Sequence, residues 1–395
     1  MHALILTSEF PPGPGGLGTH AWQLARHLHK LGWDITVAAS QDYTSADEIK
    51  KFNDAQPFPI ISIEKSSAPP LRFVKRWRVV SAWLNQNRPD AIIASGARSV
   101  WMAAALSNRF QLPWIAIGHG TEMAFKTATR KMITRWAFEK ANGVICVSEF
   151  TKKQMDKSGI NVDKTSVIPN GADPDLFQIL PANEVESFRS RLGFTDAKLI
   201  LTVGNVTERK GQDVVIRALP EVIKEIPNAH YMIVGLPTRK KEMQDLARQL
   251  GVSEHVHFFE RVNNDELIRF FNSCDVFAMT SKMTADGDFE GYGIAVVESA
   301  LCGKPSVVSG NSGLSEAVLD GETSFVVPEN DESATAKAII QILKNEEFRK
   351  QMGEKARHYA ITQQTWPKRI ALYDQFLREI LRASNRSRLV SAVQG

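Results

Sequence analysis

The sequence predicts an α/β protein built of two doubly wound domains, and three observations carry that prediction. Short apolar runs of strand length alternate with amphipathic stretches of helical period. The alternation breaks once, in a turn-rich stretch around residue 170, and then restarts. The chain has 395 residues, more than one hydrophobic core usually serves. Two domains of roughly 150–200 residues each are therefore expected.

The elements follow in order. "ALILTS" (3–8) is a strand-length apolar run. Ala21, Leu24, Ala25, Leu28 and Leu31 then recur at helical spacing, with Gly32 placed to cap the helix. "DITVAAS" (34–40), "AIIAS" (91–95), "PWIAIGHG" (113–120) and "GVICVS" (143–148) continue as strands, with helical stretches between them. Parallel strands need such crossovers, so the pattern implies a parallel sheet covered on both faces. In "VIPNGADPDLF" (167–177), Pro169, Asn170, Gly171 and Pro174 break the rhythm. Six strands then follow, at "LILTVGN" (199–205), "AHYMIVG" (229–235), "HVHFFE" (255–260), "DVFAMTS" (275–281), "PSVVS" (305–309) and "TSFVVP" (323–328). Past Pro328 the chain reads as helical. The stretch 366–383 places Ile370, Tyr373, Phe376, Leu377 and Ile380 on one face, able to pack on either domain. The expected division is 1–170, 171–365 and a frayed tail, 384–395.

Composition bounds the class. Hydrophobic residues make up 43% and charged residues 23%, ordinary values for a globular protein. A formal net charge of +4 is too small to argue for nucleic acid as partner. Cys146, Cys274 and Cys302 are far apart and form no CxxC pair, so buried free thiols are expected rather than a metal or redox site. No basic segment precedes a long apolar one at the N-terminus, and no run approaches the ~18–20 apolar residues of a membrane span.

Four stretches carry chemistry. "GPGGLG" (13–18) spells GxGxxG between a strand and a helix, with Asp42 past the second strand as a candidate ribose-binding acid. In a dinucleotide turn the first glycine follows the strand almost at once. Here Glu9, Phe10, Pro11 and Pro12 intervene, and Pro14 stiffens the loop. A loop whose Gly15 and Gly16 admit a ligand close to the backbone fits better, with the dinucleotide turn and an ordinary turn as alternatives. In "DFEGYGIAVVESALCGKP", Glu290 precedes a helix expected from Tyr292, and Glu298 lies eight residues later. Eight helical residues rise ~12 Å, too far for an acid pair acting on one bond but suited to two ends of a long ligand. The N–H groups of Gly291, Tyr292, Gly293 and Ile294 would crown that helix; a capping and a surface glutamate are the plain alternative. In "VGNVTERKGQD", Arg209 and Lys210 sit in a strand-to-helix loop, where cations suit a diphosphate or simply face water. His119, between Gly118 and Gly120, directly follows a strand, where open sheets of this kind bind ligands.

Together these stretches resemble the retaining, nucleotide-sugar-dependent glycosyltransferases of family 4. The shared elements are "GGLG" (15–18), "HG" (119–120), "IPNGAD" (168–173), "ERKG" (208–211), "EGYGIAVVE" (290–298) and "GLSEAV" (313–318), in that order across nearly the whole chain. The resemblance implies the GT-B fold, two Rossmann-like domains facing each other across a cleft. It implies that Glu290 and the Gly291–Ile294 amides bind the donor sugar, Glu298 the ribose, and Lys210 with Arg209 the diphosphate. His119 would face the transferred sugar, Gly15 and Gly16 the donor phosphate and acceptor, and Glu316 the nucleotide. Many members carry Arg where this chain has Asn205, which leaves Arg209 as the second cation. "DGD" (286–288) imitates the metal-binding DxD of another glycosyltransferase fold. Asp286 and Asp288 are read instead as loop acids, with no obligatory metal and no further cofactor.

The implied reaction moves a hexose from a nucleoside diphosphate sugar, with GDP-mannose favoured, to a glycan or glycolipid hydroxyl in cell-envelope synthesis. Rivals are a nucleotide-sugar epimerase or hydrolase, a non-catalytic sugar-nucleotide binder, and a dinucleotide oxidoreductase. "LRFVKRWRVVSAWLNQNR" (71–88) holds five basic residues and no acid, with Phe73, Trp77, Val80 and Leu84 on one face. Lys126, Arg130, Lys131 and Arg135 add a second basic stretch. Such helices suit an anionic membrane surface or an ordinary core-facing role. A cytoplasmic enzyme, peripheral at the inner face of the membrane, is the corresponding expectation.

Overall fold

The computed structural model describes residues 1–13, 15–41, 44–63, 69–125, 127–260 and 262–394, with the backbone alone at 69–72 and 387–394. Pro14, Asp42 and Lys126 lie outside the described residues. The chain divides into two compact units, Met1–Asn170 with Trp366–Gly395, and Gly171–Thr365.

The first unit alternates strands β1 (His2–Thr7), β2 (Asp34–Ala39), β3 (Ile60–Ser62), β4 (Ala91–Ser95), β5 (Trp114–Gly118), β6 (Gly143–Cys146) and β7 (Thr165–Val167) with helices. The helices are α1 (Gly16–Lys30), α2 (Ala46–Asp54), α3 (Pro69–Gln86), α4 (Ala97–Phe110), α5 (Ala128–Lys140) and α6 (Glu149–Lys157). All strand pairs are parallel, in the order β3-β2-β1-β4-β5-β6-β7. Leu4, Leu6, Ile92, Ala94, Trp114 and Ala116 line one core layer, with Val100, Ala103 and Leu106 of α4 packed in the same cluster. The strand order reverses between β1 and β4, so the loops leaving their C-terminal ends diverge and open a crevice there. The β1–α1 loop is anchored by the buried ring of Phe10 and by Gln41, whose amide donates to the Pro11 carbonyl at 2.6 Å.

The second unit places β8 (Lys198–Val203), β9 (Ala229–Val234), β10 (Val256–Phe259), β11 (Val276–Met279), β12 (Ser306–Ser309) and β13 (Ser324–Val327) in the parallel order β10-β9-β8-β11-β12-β13. Its helices are α7 (Ala182–Arg191), α8 (Gln212–Glu225), α9 (Lys240–Gln249), α10 (Asn264–Ser273), α11 (Ile294–Leu301), α12 (Glu332–Lys344) and α13 (Glu346–Gln363). Val215, Leu219 and Val222 of α8 and Ile339 and Ile342 of α12 bury an apolar stripe in the cluster that holds Ile200, Tyr231 and Val276. Here the reversal falls between β8 and β11. The loops leaving those two strands are stitched together. The Lys282 N–H donates to the Arg209 carbonyl at 2.8 Å, and the Thr280 hydroxyl to the Gly211 carbonyl at 2.8 Å.

The last helix, α14 (Trp366–Gln394), belongs to the first unit, where Trp366, Tyr373 and Leu377 are buried. The stretch 384–395, expected to fray, continues α14 to Gln394; "SNRSRLVSAVQ" contains neither Gly nor Pro to stop it. Two strands went unforeseen, β3 and β7. Each is three residues long, and β3 follows two prolines, so neither offers a readable apolar run.

Gly211 sits at φ +66°, and a Cβ there would lie 1.9 Å from the Thr280 carbonyl oxygen. That contact is with backbone and cannot relax by a rotamer change. Gly211→Ala is therefore expected to cost on the order of 2 kcal/mol and to lower the melting temperature by roughly 4–8 °C. Thermal unfolding followed by circular dichroism checks this; an unchanged midpoint would show that the loop moves freely.

Candidate active site

The chemistry of the second unit gathers at the C-terminal ends of β8 and β11. Beyond β8 the chain runs through Gly204 and Asn205 to a 3-10 turn, Glu208–Lys210, and then enters α8. Lys210 folds back over Gly204, where a Cβ would come within 3.2 Å of the lysine Cε; the bare glycine leaves room for that stem. The Lys210 Nζ donates to Glu290 Oε2 at 2.7 Å, and Arg209 Nη1 donates to the same oxygen. Arg209 Nε lies 3.2 Å from Asp288 Oδ2. Two cations and two carboxylates thus form one part-buried cluster.

Electrostatics follow from that packing. Burial works against the Glu290 carboxylate, but Arg209 and Lys210 outweigh it and hold its pKa down at about 2. Burial pulls the Lys210 ammonium below its ordinary value, with Glu290 opposing and Arg209 reinforcing the fall. Arg209 moves up because Glu290 and Asp288 outweigh its desolvation. Asp288 is raised by burial, and Arg209 offsets this only in part. Asp288 is a loop acid, as the sequence suggested, but one engaged in an ion pair. It is the second counter-ion of Arg209. Asp286 is exposed.

α11 begins at Ile294, with Gly293 as its N-cap in the left-handed region at φ +87°. The expected helix from Tyr292 is thus two residues too long. Only the second half of the path from Glu290 to Glu298 is helical, so the ~12 Å helical rise does not apply. Tyr292 turns its ring into the core, where its hydroxyl accepts from the Gln364 amide at 3.1 Å; toward a ligand it offers backbone alone. The Glu290 carbonyl accepts from the Gly313 N–H at 2.9 Å, which ties this segment to the 3-10 turn Gly313–Ala317. Glu316 lies on that turn, part-buried. Burial lifts the Glu298 carboxyl to about 7, with Lys210 pulling it down in part. Asn205 is occupied by the fold, its Oδ1 accepting from the Leu236 N–H at 3.3 Å. Among the described residues, no group of three or more His, Cys, Asp or Glu side chains is arranged to hold a metal ion.

In the first unit His119 follows β5, beside the point where the strand order reverses. Its Nε2 lies 2.9 Å from the Ser95 hydroxyl at the end of β4. The Glu122 carboxylate accepts the N–H groups of His119 and Gly120 at 2.9 and 2.8 Å, which fixes the turn. Burial lowers the His119 pKa to about 4, so the ring is neutral near pH 7. The ring of His20 on α1 stands edge-on to it, with centroids 4.7 Å apart. Gly15 caps α1 at φ +155°, and a Cβ there would meet the Glu9 carboxylate; Gly16 has open space around it. The structure thus brings Arg209, Lys210 and Glu290 together, and sets His119 beside the first turns of α1. Sequence reading named Asp288 but not its pairing with Arg209, and it assigned no role to Ser95, Glu122 or His20. All four lie in or within two residues of quoted stretches, but they act through contacts that spacing does not encode.

Residues 14–176 match the family described as Glycosyltransferase Family 4, and residues 184–359 match Glycosyl transferases group 1. The chain belongs to glycosyltransferase family 4. This glycosyltransferase is 28% identical over 388 residues to a GDP-mannose-dependent alpha-(1-6)-phosphatidylinositol monomannoside mannosyltransferase of Mycolicibacterium smegmatis, covering 95% of this chain and 97% of the relative. It is 29% identical over 372 residues to a D-inositol 3-phosphate glycosyltransferase of Corynebacterium diphtheriae, covering 88% and 86%. Among solved structures it resembles that of Anabaena Alr3699/HepE in complex with UDP and glucose, at TM-score 0.80 and 19% identity over 96% of this chain and 100% of that one. It resembles sucrose-phosphate synthase from Thermosynechococcus elongatus at TM-score 0.80 and 20% identity, over 97% and 100%. The fold of this family 4 glycosyltransferase is GT-B.

The part-buried carboxyl of Glu298 gives a measurable signature. Its pKa rises from 4.5 in the unfolded chain to about 7, so between those values the folded state binds the extra proton. Stability from this group therefore falls as pH rises through that window. Glu298→Gln is expected to be more stable than the parent at pH 8, by on the order of 2–3 kcal/mol, with the gap closing toward pH 4.5. Urea unfolding across that pH range checks it; a gap that does not change with pH refutes the assignment.

Proposed function

We propose that this glycosyltransferase transfers mannose from GDP-mannose to a hydroxyl of a glycolipid acceptor, with retention at the anomeric carbon, in cell-envelope synthesis. The observation that carries the reading is the Arg209–Lys210–Glu290 cluster at the strand-order reversal of the second unit. Cations there suit a diphosphate, and a carboxylate beside them suits sugar hydroxyls. The relatives from Mycolicibacterium smegmatis and Corynebacterium glutamicum named as GDP-mannose-dependent support the choice of donor and the glycolipid class of acceptor.

In the proposed reaction the acceptor oxygen bonds to the anomeric carbon on the face from which the diphosphate leaves. The anomeric carbon–phosphate oxygen bond breaks, and the acceptor proton passes to the departing diphosphate. Lys210 and Arg209 stabilise the charge that develops on that group. Glu290 and the backbone of Gly291–Ile294 hold the sugar, Glu298 and Glu316 the nucleoside, and Asn205 donates through its amide. In the first unit Gly15 and Gly16 admit the phosphate and acceptor to the backbone, and neutral His119 serves as a hydrogen-bonding partner to the sugar rather than as a cation. No metal is assigned a role.

A calorimetric panel of GDP-, UDP- and ADP-sugars, followed by a transfer assay, tests the donor and the site together. GDP-mannose is expected to bind best, and EDTA to leave the transfer rate unchanged. Glu290→Ala is expected to reduce transfer at least 100-fold while the fold persists. Full activity in that variant, or preferential binding of another sugar nucleotide, would overturn the corresponding part.

We further propose peripheral contact of the first unit with an anionic membrane surface. Among the described residues no helix is long and apolar enough to cross a membrane. The face expected on α3 is divided. Val80 and Leu84 are core, Trp77 packs against it, and buried Arg76 donates to the Thr7 carbonyl. Phe73 and Val74 remain 39% and 44% exposed. On α5, Met132 and Trp136 are 65% and 42% exposed among Arg130, Lys131 and Arg135. Apolar side chains ringed by cations suit an anionic interface. Co-sedimentation is expected with vesicles containing phosphatidylglycerol and to fall several-fold with phosphatidylcholine alone or with Trp136→Ser. Equal binding to both vesicle types refutes it.

A further inference from the structure

Tyr373 is fully buried and lies on α14, 353 residues from the histidine it touches. Its hydroxyl is 3.0 Å from His20 Nε2. His20 is itself fully buried on α1, boxed by Trp366 at 5.2 Å and by His119 at 4.7 Å between ring centroids. The His20–His119 rings stand at 81°, edge to face. On its other side His119 meets Ser95 through Nε2. The Glu122 carboxylate holds the backbone beneath it. The His119 ring is therefore confined by Ser95 at one nitrogen and by His20 at its side.

Packing alone would not select histidine at position 20. Its Nδ1 is buried and makes no hydrogen bond among the described residues. An unpaired buried nitrogen is costly, and a phenylalanine or leucine would fill such a space without it. What histidine adds is a ring of the right size whose Nε2 is fixed by a hydroxyl. Burial and the neighbouring His119 both lower the His20 pKa, so it stands as a neutral wall.

We propose that His20 is a positioning residue for His119, and that the Tyr373 hydroxyl on the last helix holds it in register. With His20 fixed, the His119 ring cannot swing away from the orientation set by Ser95. Its Nδ1 edge is then presented in one direction. This rests on the reading of His119 as the sugar-facing group.

The test uses Tyr373→Phe, which keeps the ring and removes the hydroxyl, together with His20→Phe. Each is expected to lower kcat ten-fold or more with the donor KM changed less than two-fold, because the charged groups proposed to hold the diphosphate, Arg209 and Lys210, are left in place. In a His119→Ala background Tyr373→Phe is expected to cost less than two-fold, since the group it positions is gone. An undiminished kcat in Tyr373→Phe, or an equal loss with and without His119, overturns the proposal. A second readout does not depend on transfer. The imidazole nitrogen resonances of His119 in labelled full-length protein are expected to move in Tyr373→Phe. If they stay fixed, the positioning role fails whatever the enzyme transfers. If they move while His119→Ala retains full transfer, the positioning stands and the reading of His119 is what fails.

Discussion

One oxygen atom, Oε2 of Glu290, receives both Arg209 and Lys210. Charges taken out of water must be matched, and removing one member of such a set leaves the others stranded. Glu290 therefore does more than sit beside two cations. It ties the loop after β8 to the segment that leads into α11, and Asp288 adds a second tie through Arg209. The stitching of that loop to the strand below, through Thr280 and Lys282, presupposes a fixed position for residues 209–211. On the proposed function an arriving diphosphate competes with Glu290 for its cations. The carboxylate it displaces becomes available to the sugar hydroxyls, so one exchange prepares both halves of the donor site.

The first unit solves a different electrostatic problem. Its ring pair, buried His20 and part-buried His119, is kept neutral by desolvation rather than balanced by counter-charge. Its acid, Glu122, is used on backbone N–H groups. Both units place their chemistry at the reversal of strand order, where the topology opens a crevice at the C-terminal edge of the sheet. One edge carries an ionic cluster suited to phosphate; the other carries neutral hydrogen-bonding groups suited to hydroxyls.

Much of the architecture was legible because parallel strands buried on both faces read as short apolar runs. All six strands of the second unit stood out, as did β1, β2, β4, β5 and β6. β3 and β7 did not, because three-residue strands carry no period. The helix start at Ile294 was misjudged because Gly291 and Gly293 allow either a helical turn or a cap. The left-handed conformation of Gly293 decides for the cap. Arg209, Lys210 and Glu290 were legible as candidates from their place after strands, but not their mutual pairing, which joins residues 80 and 81 positions apart. The Tyr373–His20 contact spans nearly the whole chain and leaves no local trace.

That span bears on how the molecule is made. The second unit is an insertion within the first, and its two ends lie side by side, with the Ala172 N–H donating to the Gln364 carbonyl at 3.0 Å. A chain growing from its N-terminus completes Gly171–Thr365 before α14 exists. The first unit must wait for its final thirty residues, 366–395, which carry the hydroxyl for His20 and the Asp374 carboxylate for the Trp33 indole. Domains generally fold as units and N-terminal first during synthesis. Until Gly171–Thr365 has been made, the growing chain carries α1 without the helix that covers it.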